Sequence, residues 1–136
     1  MPRKQLLLGT EGLRLFTSQV LDHFENPRHV GELPPPAITV EVSNPACGDI
    51  LRMSALVEQG KFQQVRFKAR GCVASIACGS LLTELVQGKT LEQAAQISAT
   101  QVATQLGGLP PESGHAAILA ADALHAVLKE VHRLAP

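Results

Sequence analysis

The sequence predicts an α+β fold, in which helices cover one face of a small three-stranded antiparallel sheet. Apolar and polar residues alternate over residues 37–57 and again around residue 67, which is typical of strands with one buried face. Apolar residues recur at helical spacing before and after that region, and most clearly over residues 114–134. We therefore expect strands in the middle of the chain and a long C-terminal helix.

The strand predictions follow from period-two alternation. Residues 37–43 alternate first, and residues 50–57 continue the same pattern. A hairpin turn is expected at residues 58–61, where Gly60 permits a positive φ. A return strand then places apolar side chains on the same face as the first two strands. Its inward residues are Val65, Phe67 and Ala69.

The helix predictions rest on apolar stripes bounded by breaking or capping residues. Asn26-Pro27 ends the first helix, because the residue before proline avoids helical backbone angles. Thr90 and Gln93 have the spacing of a capping box. The predicted helices span residues 12–25, 75–87, 91–97, 100–106 and 114–134.

Length, charge and hydropathy narrow the classes of protein that the chain can represent. We expect 136 residues to form a single domain, 1–136, whose residues 1–11 are a flexible leader. Twelve basic and twelve acidic side chains balance, so nucleic acid is not an expected partner. No segment has the pattern of a membrane span, and we expect a cytoplasmic protein with no membrane partner.

The three cysteines carry the strongest functional signal. Cys47 and Asp49 lie on either side of a glycine in a tight turn, and Cys72 follows Gly71 where a strand meets a helix. In the cytosol, such cysteines are more often reactive or metal-binding than disulfide-bonded. Thiolate and carboxylate groups both bind zinc, and thiolates bind iron–sulfur clusters. The alternative is that these cysteines are small buried apolar residues.

Cys78 is expected to have a different role from the other two cysteines. It lies on the apolar face of its predicted helix, and residues six apart on a helix point to nearly opposite sides. We therefore predict core packing for Cys78, with metal ligation as the alternative. A thiol redox pair of Cys72 and Cys78 is a weaker hypothesis, because the usual C-x-x-C spacing is absent.

Several separate motifs resemble one known family. They are DHFENPRHVG at residues 22–31, NPACGD at 44–49, GCVAS at 71–75 and LPP at 109–111. In this order they are similar to the IscU/NifU N-terminal family of iron–sulfur cluster assembly scaffolds. The resemblance extends from about Thr17 to the final helix, and its length is that of the IscU type.

The resemblance implies a scaffold that is not an enzyme. It implies a transient [2Fe-2S] cluster, or a Zn²⁺ or Fe²⁺ ion, bound by Cys47, Asp49, Cys72 and His115. It further implies a cysteine desulfurase as the sulfur donor and apo iron–sulfur proteins as acceptors. Asp49 is expected to be the labile ligand that eases release of the cluster.

The chain departs from the family pattern at two places. The third cysteine of the family would follow His115, but this position is Ala116, which has no donor atom. Glu112-Ser113 stands where family members of the IscU type carry a basic residue that helps a DnaK-type chaperone to bind, so that partner is doubtful. These departures leave a second hypothesis open, a zinc-binding adaptor that no longer assembles clusters.

The remaining histidines give no sign of a chemical role. We expect His125 and His132 to be solvated, because two helical turns separate them by about 10 Å, too far to share one metal ion. We expect His23 and His29 to be structural or surface residues.

Overall fold

The structure, a computed structural model, describes residues 15–46 and 48–134. Within these ranges the strands are β1 (Ile38–Asn44), β2 (Asp49–Glu58) and β3 (Lys61–Arg70). They form one antiparallel sheet in the order β1-β2-β3. The predicted sheet is confirmed, including the hairpin between β2 and β3.

Helices precede and follow the three strands along the chain. The helices of the described residues are α1 (Ser18–Glu25), α2 (Val73–Val86), α3 (Leu91–Ala95), α4 (Ala99–Gln105) and α5 (Gly114–Leu134), with a 3₁₀ turn at Pro111–Ser113. The predicted α+β class and the long C-terminal helix are therefore confirmed. The capping box at Thr90 and Gln93 is present, with both of its hydrogen bonds.

The first helix is shorter than the sequence predicts. It begins at Ser18, because the side chain of Thr17 accepts a hydrogen bond from the backbone nitrogen of Val20 and caps the helix. The prediction of helix from Gly12 is therefore wrong for residues 15–17, and residues 12–14 lie outside the described part of the chain. The predicted leader, residues 1–11, also lies outside it.

The core fills the space between the inner face of the sheet and helices α2 and α5. Leu51, Met53, Val65 and Phe67 from the sheet are all at most 2% exposed. Gly79 allows α2 to approach the sheet closely, since a Cβ atom there would lie 2.8 Å from the Phe67 ring. Close packing of α2 against β3 fixes where the start of α2 lies relative to the end of the sheet.

Helix α1 and the segment that follows it are attached to α2 through the buried hydroxyl groups of Ser80 and Thr83. Nδ1 of His23 lies 2.7 Å from Oγ of Ser80, which also accepts a hydrogen bond from the backbone nitrogen of Arg28. Nδ1 of His29 lies 3.1 Å from Oγ1 of Thr83. His23 is therefore a buried structural residue, one of the two roles expected for it.

His125 and His132 are exposed on α5, as expected for solvated residues. Among residues 15–46 and 48–134, no helix combines the length and the apolar character needed to cross a membrane. The single-domain assignment stays a prediction.

Candidate metal centre

The site lies at the end of the sheet where β2 begins and β3 ends. Ile50 pairs with Arg70 in the β2–β3 register, so the next residues outward, Asp49 and Gly71, are neighbours. A Cβ atom at Gly71 would lie only 2.2 Å from Oδ1 of Asp49, and the φ angle of Gly71 is +150°. The absence of a side chain at Gly71 therefore makes room for the Asp49 carboxylate.

Cys72 occupies the cap position at the start of α2. Its backbone is extended, with φ −79° and ψ 171°, and its side chain makes no capping hydrogen bond. The sulfur instead lies 3.5 Å from Oδ2 of Asp49. This sulfur is therefore placed beside the carboxylate, where it could serve as a metal ligand.

His115 arrives from the first turn of α5. Its Nε2 atom lies 3.2 Å from the same Oδ2 atom of Asp49. The Asp49 side chain is 5% exposed, whereas the His115 side chain is 29% exposed. The site is therefore buried at the carboxylate and open to solvent on the imidazole side.

These three residues form a donor set that could hold a metal ion. One ligand atom from each of Asp49, Cys72 and His115 lies within 4.8 Å of the other two. Bond lengths of about 2.0 Å from zinc to nitrogen or oxygen and 2.3 Å to sulfur place tetrahedral donors about 3.3–3.8 Å apart. The measured separations of 3.2 and 3.5 Å from Oδ2 are close to that range.

The fourth predicted donor, Cys47, lies outside the described residues, so its part in the site stays a prediction. Pro45, Ala46 and Gly48, which flank it, lie in the turn between β1 and β2. Asn44 holds this turn, because its backbone oxygen accepts a hydrogen bond from Gly48 and its Oδ1 atom accepts one from Ala46. The turn lies at the same end of the sheet as Asp49.

Cys78 lies in the hydrophobic core and outside the donor set of Asp49, Cys72 and His115. Burial raises the pKa of its thiol to about 12, and the nearby Cys72 contributes in the same direction. A thiol that stays protonated is a poor metal ligand. The structure thus agrees with core packing for Cys78. Ala116, which follows His115 and has no donor atom, is 1% exposed.

Ser75 is a site residue to which the sequence assigned no role of its own. Its side chain is buried, and its hydroxyl donates a hydrogen bond of 2.5 Å to Oδ2 of Asp49. The same hydroxyl oxygen lies 3.4 Å from the sulfur of Cys72. The sequence does contain one indication of this role. Ser75 follows Cys72 by three residues, and residues three apart lie on the same side of a helical turn.

Comparisons with known proteins agree with this architecture. The family model described as the NifU-like N terminal domain matches residues 15–134. The iron-sulfur cluster assembly scaffold protein IscU of Azotobacter vinelandii is 44% identical over 119 residues, covering 85% of this chain and 92% of that protein. The mitochondrial iron sulfur cluster assembly protein 1 of Kluyveromyces lactis is 43% identical over 128 residues, covering 90% and 71%.

A solved structure gives the same picture of the fold. The N-terminal part of a nitrogen-fixing NifU-like protein from Brucella abortus superposes with a TM-score of 0.73. The match covers 90% of this chain and 98% of that chain. Because the two sequences are 16% identical, this likeness concerns the fold alone.

Proposed function

The chain belongs to the family of NifU-like N-terminal domains, and on that premise we propose that it is an iron–sulfur cluster assembly scaffold. The relative from Azotobacter vinelandii is named as a scaffold protein for this process. That name agrees with the prediction that the chain is not an enzyme. The cluster is then the cargo of the protein, built on the scaffold and passed on.

The convergence of three donor types on one point carries this proposal. Asp49, Cys72 and His115 offer an oxygen, a sulfur and a nitrogen atom within 4.8 Å of one another. Cys47 would add a second sulfur. Together they would supply four donors, which suits tetrahedral zinc or iron, and histidine can replace thiolate in a [2Fe-2S] cluster.

The donors would have different roles in assembly and release. Cys72 and Cys47 would hold the iron through thiolates, and His115 would close the site from its open side. Asp49 would be the labile ligand, because a carboxylate oxygen is a harder donor than the thiolates that iron–sulfur clusters favour. A scaffold needs such a ligand, since it must release what it assembles.

Assembly of a cluster requires a protein that donates sulfur, and its release requires a protein that accepts the cluster. Sulfur would come from a cysteine desulfurase, and the finished cluster would pass to apo iron–sulfur proteins. Glu112 and Ser113 follow the LPP sequence where a basic residue was expected, so we do not include a DnaK-type chaperone in the proposal. Cytoplasmic localisation stays a prediction, because a close relative is named as mitochondrial.

Anaerobic reconstitution tests the proposal. The purified protein is incubated with ferrous iron, cysteine, a cysteine desulfurase and dithiothreitol, which reduces the persulfide sulfur to sulfide, and the cluster is followed by its visible absorbance and by acid-labile sulfide. The loaded protein is then mixed with an apo-ferredoxin. We expect a cluster to form on the protein and to appear on the ferredoxin, while a sample lacking the scaffold gives slower transfer.

The same experiment separates the scaffold from the zinc-binding adaptor. Ala116 and Glu112 prompted that second hypothesis, but the names of the relatives do not favour it. Tightly held zinc, together with failure to form or transfer a cluster, would contradict the scaffold function.

A further inference from the structure

We propose that Ser75 is a positioning residue that holds the Asp49 carboxylate in the orientation required for metal binding. This inference rests on the proposed metal centre at Asp49, Cys72 and His115. Cys72, Cys47 and His115 are proposed ligands themselves, so the carboxylate needs a different residue to hold it, and Ser75 of α2 is in place to do so.

The geometry around Asp49 carries the inference. Among the described residues, three side-chain atoms lie close to its Oδ2 atom, namely Oγ of Ser75 at 2.5 Å, Nε2 of His115 at 3.2 Å and Sγ of Cys72 at 3.5 Å. The contact with Ser75 is the shortest of these, and a hydroxyl group that donates to a carboxylate forms a strong hydrogen bond. Ser75 is 2% exposed, so water competes little for this bond.

Only the contact from Ser75 would remain a hydrogen bond when a metal binds. His115 and Cys72 would direct their lone pairs to the ion rather than to Oδ2. Their separations from Oδ2 would then be the spacings between ligands of one ion. Ser75 is not among the ligands, so its hydroxyl stays on the carboxylate throughout.

The placement of Ser75 on the helix is consistent with this role. It lies in the first turn of α2, three residues after Cys72 at the cap. Serine at such positions often bonds to nearby backbone groups. Both hydrogen-bond contacts that the structure gives this hydroxyl go instead to site side chains, Asp49 and Cys72.

Zinc affinity measures the effect directly. Competition with a chromogenic chelator gives the affinity of the full chain and of its variants. We expect Ser75→Ala to weaken zinc binding by about 10–100-fold, which is usual when a hydrogen bond to a metal ligand is removed. Cobalt in place of zinc adds a spectroscopic signature, and the visible bands of the variant should differ from those of wild type in position or intensity.

Ser80→Ala is the matched control. Ser80 is also a buried serine of α2, but it contacts His23 and the backbone of Arg28 rather than the site. We expect Ser80→Ala to lower the melting temperature and to leave zinc affinity and the cobalt spectrum unchanged. Ser75→Thr and Ser75→Val form a second pair of nearly identical shape, of which only the threonine variant should bind zinc within a few-fold of wild type.

The outcomes separate this inference from the proposed function. If wild type binds zinc and Ser75→Ala binds it equally well, Ser75 has no positioning role, but the metal centre stands. The same conclusion follows if Ser80→Ala weakens binding as much, or if the threonine and valine variants behave alike. Failure of wild type to bind either metal would remove the metal centre and this inference together.

Discussion

The Oδ2 atom of Asp49 lies 3.2 Å from Nε2 of His115, although the two residues are 66 positions apart in the chain. Asp49 is held at the start of β2, and His115 lies in the first turn of α5, which packs across β1 and β2. The fold therefore creates the contact, because no local segment contains both residues. Loss of any feature that keeps the donors together should weaken metal binding.

Replacing His115 by alanine removes the donor on the open side of the site. We expect His115→Ala to weaken zinc binding at least about ten-fold, because one of the proposed ligands is lost. The variant should also lose about 1 kcal/mol of stability, because the buried Asp49 carboxylate loses a hydrogen-bond partner. Chelator competition measures the affinity. His125→Ala, an exposed histidine on the same helix, is the control, and an equal loss in both variants would contradict a specific role for His115.

Substitution at Gly71 tests the space that the Asp49 carboxylate needs. We expect Gly71→Ala to weaken zinc binding at least about ten-fold, because the new Cβ atom would lie 2.2 Å from Oδ1 and must displace the carboxylate. The positive φ adds a backbone cost of about 1–3 kcal/mol. Zinc titration and urea unfolding measure the two effects separately.

Gly88→Ala provides the comparison for Gly71→Ala. Gly88 also has a positive φ, +86°, but a Cβ atom added there would meet no atom of the described residues within 4 Å. We expect this variant to lose stability through the backbone cost alone and to bind zinc normally. Normal zinc binding by Gly71→Ala would show that the carboxylate adapts without loss of function.

The sequence predicts this site in part, and the limits have physical causes. The hairpin formed by β2 and β3 returns the chain to the end of the sheet where β2 begins, so alternation and turn chemistry make it reasonable for the loops of Cys47 and Cys72 to meet if both lie at that end. The approach of His115 depends on how α5 packs across the sheet, which only the resemblance to a family indicated. Ser75 stands out in the sequence only as part of a motif, because a serine in a helix gives no sign of its partner until the tertiary fold places Asp49 beside it.

The two described cysteines should respond differently to substitution. We expect Cys72→Ala to abolish the cluster absorbance after anaerobic reconstitution, because it removes a thiolate at the centre of the site. Cys78→Ala should leave the absorbance nearly intact and lower the free energy of unfolding by about 1–2 kcal/mol, since it creates a small cavity in the core. Loss of absorbance in the Cys78 variant alone would overturn the ligand assignment and favour Cys78 as the missing sulfur donor.

Introducing a cysteine at position 116 tests the effect of the departure from the family pattern. Ala116 follows His115 in the first turn of α5 and is buried. We expect Ala116→Cys to increase the amount of cluster bound per chain and to slow its loss to a chelator, because thiolate is the preferred ligand of iron–sulfur clusters. Ala117→Cys, at the next buried position, is the control. Equal gains in both variants would indicate a general effect of an added thiol.

His23 should make the stability of the protein depend on pH. Burial lowers the pKa of this imidazole below its ordinary value of 6.5, and Arg28 adds to the effect, while Glu84 and Asp22 oppose it. The unfolded chain therefore binds the proton more readily, and stability should fall as the pH drops below about 6.5 towards the lowered value.

Urea unfolding of wild type and His23→Gln at about pH 7.5 and about pH 5.5 isolates this contribution. At the higher pH we expect the variant to be less stable by about 1–2 kcal/mol, because the buried contact with Ser80 is altered. At the lower pH the gap should narrow, since glutamine does not titrate and wild type must take up a proton in a buried site. His125→Gln, at an exposed position, should keep the pH dependence of wild type. A gap that stays constant or widens on acidification would show that His23 does not titrate with a lowered pKa.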